Sequence, residues 1–209
     1  GGNHVLTSSK NRVKKNIKSI SGEIHKQSPD ITMIQEVDED SRRSYHINQV
    51  EKLGKAMDGS EYYYARNYKA AFVPYPIPPL GKMDSGIMTI SRLKVNSAKR
   101  VSLPVSFTWP VRTVNLKRCL LISRTKVKGT GKELVYINLH LEAYDKGAGK
   151  KAQTRALNRI LKQEAAKGNY VIAAGDFNQT FNNVDMNEYK VSKGLWKPDI
   201  IDISDYDSS

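Results

Sequence analysis

Val171-Ile172-Ala173-Ala174-Gly175-Asp176-Phe177-Asn178 decides how the rest of this chain is read. Four apolar or small residues form a short buried strand that stops where polar chemistry starts. Gly175 permits a tight backbone at that point, and alternation along an extended chain points Asp176 and Asn178 the same way. An Asp and an Asn two residues apart can hold a water, a metal-bound phosphate, or both. Open α/β sheets present their chemistry at such strand ends, so other strands that finish in the same manner matter most.

Two other segments do so. Asp30-Ile31-Thr32-Met33-Ile34-Gln35-Glu36 is mostly apolar and ends on a carboxylate, which can reach a hard cation that prefers oxygen ligands. Pairing of Glu36 with a surface lysine is the bland alternative. Val135-Tyr136-Ile137-Asn138-Leu139-His140-Leu141 alternates, with His140 at the boundary of strand and loop, where a purely structural histidine is the alternative.

Around these strands the pattern is helix, strand, helix, a long β-rich middle, helix, strand. Val13, Ile17, Ile20 and Ile24 recur at helical spacing over residues 10–27, with Ser8 or Ser9 as cap and Pro29 as stop. A second helix is expected over 43–57, with Ile47, Val50, Leu53 and Met57 inward, and a third over 150–166. Strand-like runs fall at 62–65, 70–73, 86–91, 100–103, 119–127, 133–139 and 170–174. The proline-rich stretch 74–81 reads as an extended surface loop and Lys128–Lys132 as a hairpin turn. No repeat or linker interrupts the 209 residues, so one domain is expected, with sheets packed together and helices outside.

Composition narrows the partners. Thirty-four basic residues against twenty-one acidic ones give a net charge of +13, which favours polyanions such as nucleic acid, inositol phosphates or an anionic membrane surface. A solvated basic surface without a partner is the alternative. The single cysteine, Cys119, excludes an internal disulfide framework. No run approaches the roughly 20 apolar residues that span a bilayer, and the lysine-rich start is not a signal peptide.

Gln35-Glu36-Val37, then Asn138-Leu139-His140-Leu141, then Gly175-Asp176-Phe177-Asn178 together resemble the endonuclease/exonuclease/phosphatase superfamily. Its members include deoxyribonuclease I, exonuclease III, the neutral sphingomyelinases and the inositol polyphosphate 5-phosphatases. The resemblance runs from about residue 11 to residue 181 and takes in Asp84-Ser85-Gly86-Ile87 and the basic position Arg118. It implies an α+β fold of the deoxyribonuclease I type, a four-layer α/β/β/α sandwich of two mostly antiparallel mixed sheets. It also implies that Glu36 binds magnesium, with manganese as the alternative ion, and that Asp176 orients or activates water. Asn178 would hold a phosphate oxygen or assist the metal, His140 would stabilise charge on the phosphate, and Arg43 and Arg118 would bind substrate.

Two family pieces are missing: an opening strand that ends in Asn and a closing Ser-Asp-His motif. Ser204-Asp205-Tyr206 lacks the histidine, and it reads as part of an acidic loop with Asp199, Asp202 and Asp207. The domain is therefore expected to be incomplete at both ends, and this stretch on its own to lack activity. Asp145–Lys151 fails the spacing of a phosphate loop. Tyr62, Tyr63 and Tyr64 are candidates for stacking, Arg42 for a phosphate contact and Trp109 for a substrate or membrane contact.

The expected function is a magnesium-dependent phosphoesterase acting on a phosphodiester or a phosphate monoester. The alternative is a non-catalytic module that binds polyanions or nucleic acid. The expected partner is a phosphate-ester substrate, with nucleic acid and anionic lipid head groups as candidates. The protein is expected to be a bacterial monomer with no obligate protein partner. Location stays open between the cytoplasm and an exported or anchored setting.

Overall fold

Helix α1, Lys10–Gln27, forms where its sequence pattern places it. Ser9 accepts from the Arg12 N–H at 3.3 Å and caps the start. Ser28, in the left-handed region at φ 44°, returns its N–H to the Ile24 carbonyl and ends the helix. Val13, Ile17 and Ile24 are buried, but Ile20 lies at the margin of the apolar stripe and is 44% exposed.

The computed structural model describes residues 8–74, 78–105, 117–143, 148–185, 188 and 199–201. After α1 come β1 (Ile31–Asp38), a 3₁₀ turn (Arg42–Ser44) and α2 (Gln49–Gly54). Four strands follow, β2 (Glu61–Val73), β3 (Gly81–Ser91), β4 (Ser97–Ser102) and β5 (Cys119–Lys126), and then β6 (Glu133–His140). Helix α3 (Ala148–Ala166), β7 (Tyr170–Asp176), β8 (Gln179–Phe181) and β9 (Asp199–Ile201) complete the order.

Several expectations change here. The helix expected over 43–57 is a 3₁₀ turn followed by a short helix, because Tyr45 and His46 take left-handed φ values of 56° and 59°. Asn48 restarts the helix by accepting from the Glu51 N–H at 3.0 Å. The runs at 62–65 and 70–73 are one strand, carried past Arg66–Tyr68 by a register shift. Asp199 lies in a strand rather than an acidic loop. Trp109 and Ser204-Asp205-Tyr206 fall outside the described residues, as do 75–77 of the proline-rich stretch and Asp145 to Gly147.

The strands make two main sheets, β1-β3-β2, all antiparallel, and β4-β5-β6-β7, in which only the β6–β7 pair is parallel. Helix α3 is the crossover that a parallel pair requires. Strands β8 and β9 form a small parallel pair of their own.

Three apolar clusters define the layers. Val13, Ile17, Val50, Leu53, Met88 and Ile90 join α1 and α2 to the first sheet. Leu120, Val135, Ile137, Leu139 and Leu157 join α3 to the second. Ala65, Ile87, Cys119 and Leu121 lie between the sheets. The result is the expected α/β/β/α sandwich. No helix among the described residues is long and apolar enough to cross a membrane.

Buried polar groups fasten the two sheets to each other. The Asn138 side chain is fully buried and donates to the Met88 carbonyl at 2.8 Å and to the Ile34 carbonyl at 3.3 Å. Its oxygen accepts from Gln35 Nε2 at 2.8 Å. The Tyr136 hydroxyl reaches Ser91 Oγ at 3.2 Å. Strand β7 departs from the buried strand expected of it: it is a sheet edge, and Ile172 is 51% exposed.

Candidate active site

Strand β1 does not stop at Glu36. A register shift between Ile34 and Val37 bulges the strand, Glu36 takes a left-handed φ of 57°, and the ladder resumes through Val37 and Asp38. The bulge turns the Glu36 carboxylate outward, where its side chain is 65% exposed, while Asp38 is buried. A non-glycine residue at such a φ is strained, and strain of this kind collects at functional positions.

Arg43, on the 3₁₀ turn, gathers this region. Its Nε and Nη2 atoms donate to the Asp38 carboxylate at 2.9–3.2 Å, Nη2 also reaches Ser85 Oγ at 3.3 Å, and Nη1 lies 3.9 Å from Glu36. A planar guanidinium held on both edges keeps one orientation. The turn is itself pinned to β3, since Ser41 Oγ donates to the Asp84 carbonyl and accepts from the Asp84 N–H. Asp84 takes up Arg66 through its side chain, so the Asp84-Ser85-Gly86-Ile87 segment supports the site rather than entering it.

The ends of β6 and β7 come together opposite. In the parallel register His140 faces Asp176, with Nε2 3.6 Å from Asp176 Oδ2. The other Asp176 oxygen accepts from the Asn178 N–H at 2.9 Å. Leu141 locks the two segments, donating its N–H to the Asp176 carbonyl at 2.8 Å and accepting from Asn178 Nδ2 at 2.9 Å. Gly175 is required: at its φ of 145° an added Cβ would sit 2.1 Å from the Leu139 carbonyl oxygen. Asn178 stands at φ 51°, so strand alternation is not what sets its direction; its amide returns to Leu141.

His140 is 5% exposed, whereas the Asp176 side chain is 49% exposed. Burial, reinforced by the positive charge of Arg118 and Arg43 and opposed by Asp176, pushes the imidazole down to about 4. The ring is therefore neutral at pH 7. Arg118 is buried with Glu142, 3.9 Å from its carboxylate.

All six expected site residues thus meet at one end of the sandwich: Glu36, Arg43, Arg118, His140, Asp176 and Asn178. The sequence reading named no role for Asp38 or Ser85, which it held only within longer segments, and it missed Glu142. Glu142 left a signal, a carboxylate in an apolar run two residues beyond His140. Tyr62 is 40% exposed, while Tyr64 packs against the α1–α2 core, which removes it as a stacking surface. Among the described residues no three His, Cys, Asp or Glu side chains converge on a metal. Glu36 alone still suits magnesium, which is commonly held by one or two carboxylates with waters and substrate phosphate.

The fold and this site define a two-sheet sandwich of the deoxyribonuclease I type, with its polar chemistry at one end of the facing sheets. The chain belongs to the Endonuclease/Exonuclease/phosphatase family, whose model matches residues 3–199. Among solved structures, it is similar to a family protein from Leptotrichia buccalis, at 18% identity and a TM-score of 0.58 over 84% of this chain and 64% of that one. A Bacteroides thetaiotaomicron mannosyl-6-phosphatase matches at 18% identity and a TM-score of 0.58, over 83% of this chain and 61% of that one. A humanized D. rerio TDP2 matches at 19% identity and a TM-score of 0.55, over 81% of this chain and 61% of that one. The chain thus spans under two thirds of the length of each. No curated protein matches it in sequence.

Proposed function

We propose that this chain carries the catalytic face of a magnesium-dependent phosphoester hydrolase, with manganese as the alternative ion. The observation that carries the proposal is the pairing of a solvent-facing carboxylate, Asp176, with a buried neutral imidazole, His140, beside the outward-turned Glu36. Two groups at equivalent strand ends with opposed environments are the mark of a divided acid–base role. The mannosyl-6-phosphatase among the structural relatives is in keeping with this chemistry.

Glu36 holds the ion, which when bound would neutralise charge on the non-bridging phosphate oxygens. Asp176, fixed through one oxygen by the Asn178 N–H, presents the other, 3.6 Å from His140 Nε2, to orient a water and take its proton. His140 contributes an N–H to a phosphoryl oxygen as a neutral donor, not as an imidazolium. The permanent positive charge comes from Arg43 and, at longer range, from the buried Arg118. The bond broken is the ester P–O bond; water supplies the new oxygen and the alcohol leaves with a proton. A phosphodiester or a phosphate monoester fits this scheme.

The test is hydrolysis of bis-para-nitrophenyl phosphate and para-nitrophenyl phosphate with magnesium, with manganese and with chelator. Glu36→Gln is expected to raise the magnesium concentration needed for half-maximal rate at least tenfold. Absence of turnover with either ion by the folded full-length protein would sink the proposal, as would a metal requirement that Glu36→Gln leaves unchanged.

A further inference from the structure

A groove of about 340 Å³ opens beside Arg43, between the first turn of α1 and the segment 78–80. Lys10, Arg42 and Arg43 line it together with Tyr45, Pro78 and Pro79. Tyr45 donates its hydroxyl hydrogen to the Ser8 carbonyl at 2.9 Å, tying the 3₁₀ turn to the start of α1. Arg42 donates to the Pro79 carbonyl at 3.2 Å and so lies along the other wall.

The charge balance in the groove is lopsided. The carboxylates nearby, Glu36, Asp38 and Asp40, are matched to Arg43, His46 and Lys82. Among the described residues none forms an ion pair with Lys10 or Arg42. Two cations without a carboxylate, in a concave site continuous with Arg43, call for a phosphate. The same walls offer apolar surface, from Tyr45, which is 41% exposed, and from the two prolines. Past the groove, Lys14 and Lys18 continue from Lys10 at four-residue spacing, about 6 Å apart along the exposed side of α1.

The geometry points to a nucleotide subsite: the groove holds the residue next to the scissile phosphate of a single-stranded nucleic acid. The phosphate lies on Lys10 and Arg42, and the base lies against Tyr45. The inference rests on the phosphoester-hydrolase reading for which bond is cut, and it names the substrate class. Stacking on Tyr45 requires a base free of its pair, which selects a single strand. An anionic bilayer is the rival. A helix that lies on lipid needs an apolar face toward it. Helix α1 turns Val13, Ile17 and Ile24 into the core and leaves only Ile20 outside.

The experiment measures binding of a fluorescein-labelled oligothymidine strand to the full chain by anisotropy, in chelator and across a salt series. The Lys10→Glu/Arg42→Glu double variant is expected to bind at least tenfold more weakly. Its slope of log affinity against log salt should fall by about 0.7, the value for one lost phosphate contact on a single strand. Tyr45→Ala is expected to weaken binding about 5-fold or more with the slope kept, and Tyr45→Phe, which keeps the ring, to restore it. Circular dichroism of each variant establishes that it is folded. Unchanged affinity and slope in the folded double variant would overturn the subsite. Charge-dependent binding to phosphatidylserine vesicles without oligonucleotide binding would overturn it in favour of a membrane. The two readings fail separately: charge-sensitive binding without any ester hydrolysis removes only the hydrolase, and hydrolysis with charge-insensitive binding removes only the subsite.

Discussion

Strands β6 and β7 run side by side, parallel and in register, and both pack against α3, yet they meet solvent differently. Strand β6 is flanked by β5 and β7 and covered by the first sheet, so Tyr136, Ile137, Asn138 and Leu139 are fully buried. Among the described residues strand β7 has a neighbour on one side only, and Ile172, opposite Tyr136, is 51% exposed. The difference reaches the chemistry at their ends. His140 loses its proton affinity to burial, and Asp176 keeps a solvated carboxylate. One strand end buries its imidazole and the next exposes its carboxylate.

The largest expected effect is on turnover. Asp176→Ala should lower kcat by about 10²- to 10⁴-fold, the range of a general base, while leaving the unfolding midpoint in urea almost unmoved. A loss of stability comparable with the loss of activity would show that the solvated end is structural. Next comes a paired truncation. Ile137→Ala should cost about 4 kcal/mol in chemical denaturation, and Ile172→Ala less than about 1 kcal/mol. Equal costs would mean that β7 is covered in solution.

A third test uses pH. His140 in the folded chain titrates near 4, below the ordinary 6.5, so the unfolded chain takes up the proton first. The stability gained by keeping the ring neutral is complete above pH 6.5 and falls away as pH drops toward 4, by about 3 kcal/mol in all. His140→Gln should flatten that part of the stability curve; a curve of unchanged steepness would refute the burial assignment. The smallest effect, about 1 kcal/mol, is expected from Asn48→Ala, which removes the α2 cap. That variant should lose stability equally at pH 7 and pH 5, which separates a remote loss from one at His140.

The same two strands show what was legible in the sequence. Alternation and β-branched content marked both as strands, and the three polar strand ends identified the site, because these are local features. Burial of β7 was not legible, since it depends on which strands lie beside it. The break in the 43–57 helix had no glycine or proline to announce it; Tyr45 and His46 adopt left-handed backbone because tertiary contacts hold the turn on β3. Arg66–Tyr68 read as an interruption, and a bulge with Arg66 bound to Asp84 and Glu39 carries the strand through it. The pairing of Asp38 with Arg43 was not legible for a related reason: Arg43 reaches it only after the turn has formed.

The buried Asn138 amide has a consequence for how this domain can vary. It rivets the two sheets at a point one residue before Glu36 on β1, through Gln35, and two residues before His140 on β6. Distances between the Glu36 carboxylate and the His140 imidazole are therefore set within three residues of the rivet, not by the connections that lead there. Loops can be lengthened or exchanged at the far ends of the strands while the reacting groups stay aligned. A single residue inserted between Asn138 and His140 would turn the imidazole to the opposite face of its sheet. Loop length at the far ends and alignment of the polar strand ends are thereby assigned to separate stretches of the chain, and each can drift without disturbing the other.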